Sequence, residues 1–303
     1  MRHSIASVIS FCSNEFRFLH FALDALKDFS SEIYVVVFDH FFDGTLENEA
    51  LLFYCFEKHP EVHFLFAPFV PHLIPKKFQK KMGKDFWFNT SRLVGRHYAQ
   101  SDYILFLDAD EIIDSSAFSA WLRTKEYQEY DAMRLENFWY FRSTDLQATT
   151  WEDSAVIARN SSWQIEALHS PGDRHALYDA AEKKKRHVLS LHGQPMIHHY
   201  SWVRTKEEIV KKMRSSAHKN ENDWEKLIAE EWEKPHPARD FVHGYELKKV
   251  DPFISLDWDQ KIPLGKKSST LPFNVRKITP LEFLKIIQTP LWHRIASSWK
   301  HCV

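Results

Sequence analysis

Two aspartates, Asp108 and Asp110, carry the clearest chemical signal in the sequence. They follow an unbroken apolar run at 103–107, which is typical of a strand buried on both faces of a parallel sheet. In an open α/β sheet, ligands bind at the carboxyl ends of the strands. Two neighbouring acids there repel each other and lose hydration, and a bound cation removes that cost. The pattern predicts a Mg²⁺ or Mn²⁺ site, because such ions bind through carboxylates and substrate phosphates. A solvated loop, with Asp114 capping the next helix, is the alternative.

The composition is that of an ordinary globular protein. The chain has 303 residues, of which 44% are hydrophobic, and a formal net charge of −1, which gives no reason to expect a nucleic-acid partner. Only 7 glycines are present, and no glycine-rich phosphate loop is found. The 3 widely spaced cysteines fit reduced thiols in a cytoplasmic protein. The amino-terminal apolar run is too short for a signal peptide, and no run reaches the roughly 18 residues of a spanning helix.

The amino-terminal half alternates between strands and helices. Strands are predicted at 5–11, 32–38 and 62–66, with helices between them, the second at about 47–59. Either Ser13 or Asn14 can cap the first helix. This alternation, with connections of this length, predicts a parallel α/β layer.

Four segments, in order, resemble family 2 glycosyltransferases of the GT-A fold: Ser7–Glu15, Glu32–Asp39, Asp43–Thr45 and Leu105–Glu111. The resemblance covers about residues 4–115. It implies a Rossmann-like, mostly parallel central sheet with flanking helices, and sugar transfer from a nucleotide-activated donor. The family usually has two acids before a Gly-Ser sequence after the second strand, whereas this chain has Phe38-Asp39-His40-Phe41.

The resemblance also implies a nucleotide-sugar site, formed by Phe11, Asn14, Glu15, Asp39, Asp108 and Ala109. At the end of a strand, Asp39 can accept hydrogen bonds from a base N–H or a ribose hydroxyl. Arg92, on a helix predicted at about 86–99, is a candidate for the diphosphate because a guanidinium binds such groups in a bidentate manner. The alternatives are a helix cap for Asn14 and a solvated surface for Arg92.

Segments in the second half resemble a bacterial subgroup of the same family. They are Trp151–Asn160, His169–Asp173 and Ile197–Arg204, although this chain has Ser201 where the subgroup tends to have glycine. The resemblance implies that His199 completes the metal site, with His198 as the near alternative. A neutral imidazole suits Mn²⁺. A structural role for the histidine pair is the alternative.

Sugar transfer with inversion also needs a general base on the opposite face of the sugar from the leaving group. Asp173, Asp153 and Glu166 are the candidates. Asp173 is favoured because it matches the loop acid of the subgroup, and a helix cap or a solvated turn is its alternative. Aromatic side chains in the middle of the chain could stack on an acceptor sugar, although core packing explains any single ring equally well.

The carboxyl-terminal part is predicted to be an extension. Residues 1–218 are assigned to the GT-A domain, with a nucleotide-sugar half at about 1–115 and an acceptor half at about 116–218. Residues 219–303 are assigned to an irregular, partly helical extension packed on that domain. Capping boxes begin helices at Thr205–Glu208 and Thr279–Glu282. The last helices, at about 280–288 and 291–300, are predicted to dock on the domain, with a membrane surface as the alternative.

The sequence thus predicts a metal-dependent, inverting glycosyltransferase that uses Mn²⁺ or Mg²⁺ and favours a UDP-sugar. The predicted acceptor is a glycan or a lipid-linked sugar. The predicted location is cytoplasmic, with peripheral contact to the inner face of a membrane left open. A sugar nucleotidyltransferase is one alternative, but it usually needs a glycine-rich loop that Phe11-Cys12-Ser13-Asn14 does not provide. A glycan-binding module without catalysis is the other.

Overall fold

The structure is a computed structural model. It describes residues 3–76, 86–161, 174–215, 221–236, 238–258 and 270–287. The helices in these ranges are α1 (Phe16–Leu26), α2 (Glu49–Lys58), α3 (Phe86–Tyr98), α4 (Ser115–Arg123), α5 (His175–Ala180), α6 (Lys206–Ser215), α7 (Trp224–Glu233) and α8 (280–287). The strands are β1 (Ile5–Ser10), β2 (Glu32–Phe38), β3 (His63–Ala67), β4 (Tyr103–Asp108), β5 (Glu111–Ile113), β6 (Ala132–Phe141), β7 (Leu146–Arg159), β8 (Lys184–Val188), β9 (Ile197–Trp202), β10 (Leu247–Lys249) and β11 (Val275–Lys277).

These strands form a single sheet in the described part of the chain. Its order is β11-β3-β2-β1-β4-β7-β6-β9-β5, with β10 paired to β7 and β8 paired to β6. The pairs from β11 through β4 are all parallel, and β7 then runs antiparallel to both β4 and β6. The predicted fold class is confirmed: the protein is α/β, with a mostly parallel central sheet and flanking helices.

The two central strands are buried on both faces, as their apolar runs predict. Side chains alternate between the faces, so that Ile5 and Ile9 of β1 pack into one core cluster while Ala6 and Val8 pack into another. The side chains of β4 alternate between the same two core clusters. Because β1 and β4 are fixed from both sides, the residues at their carboxyl ends are held in defined positions.

Strand positions agree closely with the sequence prediction. β2 has the predicted bounds, β1 ends one residue earlier than predicted, and β3 is shifted one residue towards the carboxyl terminus. The backbone N–H of Ala117 donates to Asp114 Oδ1 at 2.9 Å, so Asp114 does cap α4.

The predicted cap at Ser13 or Asn14 is wrong. A single 3-10 turn at Ser13–Glu15 precedes α1, and neither this turn nor α1 has a side-chain cap. The Ser13 N–H donates to Glu47 Oε2 at 3.1 Å, and Asn14 Nδ2 donates to the Glu208 carbonyl at 3.1 Å. The Ser13 hydroxyl oxygen, the atom that a cap would use, instead accepts from the Asn48 N–H at 3.4 Å.

The capping box at α6 is confirmed in both directions. The Thr205 N–H donates to Glu208 Oε2 at 3.0 Å, and the Glu208 N–H donates to Thr205 Oγ1 at 3.3 Å. At α8 the forward bond is present, from the Glu282 N–H to Thr279 Oγ1 at 3.2 Å. The Glu282 carboxylate instead accepts a hydrogen bond from Tyr98 Oη, which ties α8 to α3.

The carboxyl-terminal part adds strands to the same sheet. β10 pairs with β7 and β11 pairs with β3; α7 precedes β10 in the chain, and α8 follows β11. Of the two predicted last helices, α8 packs Phe283, Ile286 and Ile287 into the core, whereas the one at 291–300 lies outside the described residues. In the described ranges, no helix has the length and apolar character needed to cross a membrane.

Replacing Gly95 with alanine is expected to lower the free energy of unfolding by about 1–3 kcal/mol. Gly95 brings α3 close to β1, and an added Cβ would lie 2.3 Å from Val8 Cγ1. Helix propensity alone predicts the opposite sign, a gain of about 1 kcal/mol. Urea denaturation followed by circular dichroism measures the difference. Ser116→Ala, on the exposed face of α4, is the control and should change stability by less than about 0.5 kcal/mol. A stabilised Gly95→Ala variant would contradict the close packing.

Candidate functional site

A cleft of about 630 Å³ opens at the carboxyl ends of the central strands. The ends of β1 and β4 form its floor, where ligands bind in open α/β sheets. β7, β9 and α6 form further walls. It is lined by Ser10, Phe11, Cys12, Glu15, Val36, Phe38, His40, Phe41, Phe42, Glu47, Phe88, Ser91, Asp108, Asp110, Trp151, Glu152, Asp153, Ser154, Arg174, His175, His199, Ser201, Lys212, Ser215 and Tyr245. The cleft therefore contains both aspartates of the predicted motif.

Asp108 lies between two guanidinium groups. Arg92 Nη2 of α3 is 3.0 Å from its Oδ1, and Arg174 Nη2 is 3.4 Å from its Oδ2. Arg92 is completely buried, whereas 25% of the Asp108 side chain is exposed to the cleft. Asn89 Oδ1 accepts from Arg92 Nη1 at 3.2 Å, one turn earlier on the same helix. The sequence named Arg92 as a diphosphate candidate, and the structure brings it to the carboxylate at the end of β4.

Arg174 also forms a bidentate ion pair with Glu111, and both side chains are buried. The backbone N–H of Asp108 donates to Glu111 Oε2 at 2.8 Å, so the pair supports the turn after β4. Burial acts to raise the pKa of Glu111, but the Arg174 guanidinium outweighs it and the pKa lies below its usual value. Glu111 is therefore a fixed anion that holds Arg174 beside the cleft.

Asp110 has two different cations. Its Oδ2 lies 2.8 Å from Arg204 Nη2 and 2.7 Å from Lys212 Nζ, and its side chain is only 2% exposed. Burial acts to raise its pKa, but Lys212 and then Arg204 hold the pKa well below the usual value. Its Oδ1 faces His199 Nε2 at 3.7 Å.

Glu15 shares the same two cations at longer distances. Arg204 Nη2 is 3.2 Å from its Oε1 and Lys212 Nζ is 3.6 Å away. Burial, followed by the negative charge of Asp110, raises the pKa of Glu15 to about 8. Glu15 is therefore more readily protonated than an ordinary glutamate.

The two imidazoles of β9 have different surroundings. His199 lines the cleft, and Glu152 Oε2 lies 3.9 Å from its Nδ1, on the side where a metal-binding histidine ordinarily has a carboxylate. His198 points away from the cleft and stacks on Phe253 at 3.8 Å between ring centroids. Its Nδ1 lies 2.8 Å from Tyr140 Oη, and burial lowers its pKa to about 4. Of the pair, His199 alone lines the cleft.

Two of the three predicted metal ligands are close enough to bind the same ion, and the third is not directed at it. Asp110 Oδ1 and His199 Nε2 are close enough to share a divalent cation with phosphate oxygens, which is an ordinary arrangement for Mg²⁺. Asp108 directs both carboxylate oxygens at guanidinium groups instead. In the described residues, no group of three histidine, cysteine or acidic side chains has the geometry of a metal site.

The repulsion between neighbouring acids, from which the metal was predicted, is relieved by the protein itself. Arg92 and Arg174 neutralise Asp108, and Arg204 and Lys212 neutralise Asp110. The sequence analysis did not single out Arg174, Arg204 or Lys212. A signal was present, because Arg174 directly follows the predicted base and Arg204 ends the histidine segment.

The other residues predicted to bind the nucleotide-sugar differ in whether they line the cleft. Phe11 lines the cleft, whereas Asn14 and Ala109 are not among the lining residues. The Ala109 N–H donates to the Ser10 carbonyl at 3.1 Å, which joins the ends of β4 and β1. Asp39 also lies off the cleft lining, and its Oδ1 accepts from the Phe69 N–H at 2.7 Å. His40, the next residue, lines the cleft.

Of the predicted bases, only Asp153 lies in the described ranges, and Asp173 and Glu166 fall outside them. Asp153 lines the cleft and forms an ion pair with Arg134. Glu152, which sequence reasoning did not single out, also lines the cleft. Trp151 beside it is 37% exposed, a ring that is available to stack on a sugar.

Comparisons with known proteins give structural likeness only. No family model matches the chain, and no curated protein sequence matches it. Among solved structures, S. aureus TarS 1–349 in complex with UDP-GlcNAc is 14% identical, covers 69% of this chain and 64% of that chain, and has a TM-score of 0.39. The glycosyltransferase GlyE of Streptococcus pneumoniae TIGR4 is 15% identical, covers 77% of this chain and 64% of that chain, and has a TM-score of 0.37.

The inositol-1-phosphate CTP transferase of T. maritima is 9% identical, covers 73% of this chain and 98% of that chain, and has a TM-score of 0.39. The match spans less than two thirds of the TarS 1–349 and GlyE chains.

Proposed function

We propose that the protein is a glycosyltransferase that moves a sugar from a nucleotide-sugar, with a UDP-sugar favoured, to a glycan or a lipid-linked acceptor. One observation carries the proposal: cations and acids converge in a cleft of about 630 Å³ at the carboxyl ends of β1 and β4. The cations suit a diphosphate, and the exposed Trp151 ring suits a sugar. Three of the four segments that resemble family 2 glycosyltransferases contribute residues to the lining of this cleft.

Breaking the bond between the sugar and the diphosphate places negative charge on the departing nucleotide. Arg174 and Lys212 both line the cleft, where fixed positive charge stabilises that product and the transition state before it. They need no reorganisation, because Glu111 and Asp110 already hold them in place. Asp108 orients Arg92 and Arg174 in this proposal, rather than binding a metal directly.

We also propose that a divalent ion binds in the cleft. Asp110 Oδ1 and His199 Nε2 would hold Mn²⁺ or Mg²⁺, which would act as a Lewis acid on the diphosphate. Glu152 would orient the His199 ring from the other side. The acceptor hydroxyl loses its proton to a carboxylate, with Asp173 favoured, as its oxygen bonds to the anomeric carbon and the nucleoside diphosphate leaves. One displacement of this kind inverts the anomeric centre.

Thermal-shift measurements with UDP, GDP, CDP and TDP, each with Mn²⁺ and with EDTA, test the proposal. A ligand that binds only the native state stabilises it and so raises the melting temperature. At a ligand concentration of a hundred times the dissociation constant, the stabilisation is about 2.7 kcal/mol. UDP with Mn²⁺ is expected to give the largest increase. A panel of UDP- and GDP-sugars then tests for release of the nucleoside diphosphate. Absence of both binding and release across the panels would contradict the proposal, and release of inorganic diphosphate from a nucleoside triphosphate would indicate a nucleotidyltransferase.

A further inference from the structure

Lys212 on α6 is the cation most directly presented to the cleft from the Asp110 side. Its Nζ donates to Asp110 Oδ2 at 2.7 Å and to Ser201 Oγ at 3.0 Å. The side chain is 24% exposed, and Lys212 is among the residues that line the cleft. An ammonium group has three hydrogens to donate. Among the described residues, the third has only Glu15 nearby, with its Oε1 at 3.6 Å, so one donor is left to point at a ligand.

Asp110 also has a cation that approaches it from the protein interior. Arg204 already pairs with Asp110 at 2.8 Å and with Glu15 at 3.2 Å, and its side chain is 1% exposed. Arg204 therefore satisfies the buried acids from the protein interior, where no ligand reaches it. Lys212 adds a second positive charge on the open side of the same acids, where its side chain is 24% exposed and lines the cleft.

Ser201 holds this lysine in position. Ser201 and His199 are two residues apart on β9, so their side chains project from the same face of the strand, and both line the cleft. The Ser201 hydroxyl accepts the Lys212 hydrogen bond at 3.0 Å and so holds the ammonium group on this side of the cleft.

We propose that Lys212 is a ligand of the donor diphosphate, held by Asp110 and Ser201 so that its remaining N–H reaches a phosphate oxygen. The inference rests on the proposed function and adds to it a residue that acts whether or not a divalent ion is bound. An ammonium group is a compact point charge, well suited to a phosphate oxygen whose negative charge increases as the sugar leaves. Asp110 and Ser201 set its position before the donor arrives.

The test is the affinity for UDP and for uridine, measured by calorimetry in EDTA and again with Mn²⁺. Lys212→Met is expected to weaken UDP binding about 10- to 100-fold in both conditions, because it removes a hydrogen bond to a charged group. Uridine has no phosphate, so its affinity should change less than about twofold. Lys212→Arg keeps the charge and should recover most of the UDP affinity.

Lys211→Met is the matched control. Lys211 is the next residue on α6, its Nζ lies 4.1 Å from the centroid of the Phe41 ring, and the substitution removes the same charge from the protein. It should alter UDP affinity less than about twofold. Ser201→Ala should weaken UDP binding about two- to fivefold, which tests the same arrangement without touching the lysine if Lys212→Met fails to fold.

The outcomes separate the two proposals. If the wild-type protein binds UDP and Lys212→Met binds it equally well, Lys212 is not a diphosphate ligand and the proposed function is unaffected. Equal losses in Lys212→Met and Lys211→Met would show an unspecific charge effect and would overturn the inference too. If the wild-type protein binds no nucleoside diphosphate of the panel, the proposed function fails and this inference fails with it.

Discussion

Replacing Arg174 with methionine is expected to lower the free energy of unfolding by about 3–5 kcal/mol. The substitution keeps an apolar side chain of similar length but leaves the Glu111 carboxylate, which is 0% exposed, without its bidentate partner. Unfolding in urea at pH 7 measures the loss. Arg186→Met is the matched control, because Arg186 is exposed and lies over the Tyr178 ring, and it should change stability by less than about 1 kcal/mol.

A second variant separates the charge from the packing. Glu111→Gln combined with Arg174→Met removes both charges and keeps an acceptor for the Asp108 N–H. It should be more stable than Arg174→Met alone, because no uncompensated charge remains buried. If Arg174→Met alone loses less than about 1 kcal/mol, the buried ion pair does not support the turn after β4.

Replacing Asp173 with asparagine is expected to reduce sugar transfer about 10²- to 10⁴-fold, which is the usual contribution of a general base. Affinity for the nucleoside diphosphate should change less than about twofold, because the base acts on the acceptor hydroxyl. Release of nucleoside diphosphate from the donor under single-turnover conditions measures the effect. A large fall in turnover with unchanged binding is the expected combination.

Asp153→Asn and Glu166→Gln are the comparison variants for this series. Asp153 is already paired with Arg134, so its removal should lower turnover less than removal of Asp173. Retained turnover in Asp173→Asn would take this residue out of the role. A loss confined to Asp153→Asn or Glu166→Gln would transfer the role to that residue.

The strands and the position of the acids could be predicted because both depend on local patterns. The run at 103–107 is apolar on both faces, and β4 forms there with Asp108 as its last residue. The partners of the acids could not be predicted in this way. Lys212 is 102 residues from Asp110, and Arg174 is 63 residues from Glu111, so no periodicity connects them.

The failed cap prediction has the same physical origin. Ser13 and Asn14 have the right residue types for a local cap, but the Ser13 hydroxyl accepts from Asn48, 35 residues away. The Asn14 side chain is held by the Glu208 carbonyl, 194 residues away. Capping boxes at α6 and α8 were predictable because both members of each box lie within one helical turn. A side-chain cap can be predicted from the sequence where no distant residue bonds to the same side chain.

The balanced charges around the cleft have a consequence for alanine scanning. Removing the Asp110 carboxylate takes away an ion-pair partner of both Arg204 and Lys212. A single truncation therefore combines the loss of any catalytic role of Asp110 with repulsion between the two cations. Inactivity of such a variant is therefore weak evidence for metal ligation. Paired neutral substitutions, in which one acid and its opposite charge are exchanged together, should show marked epistasis and reveal which role each side chain has.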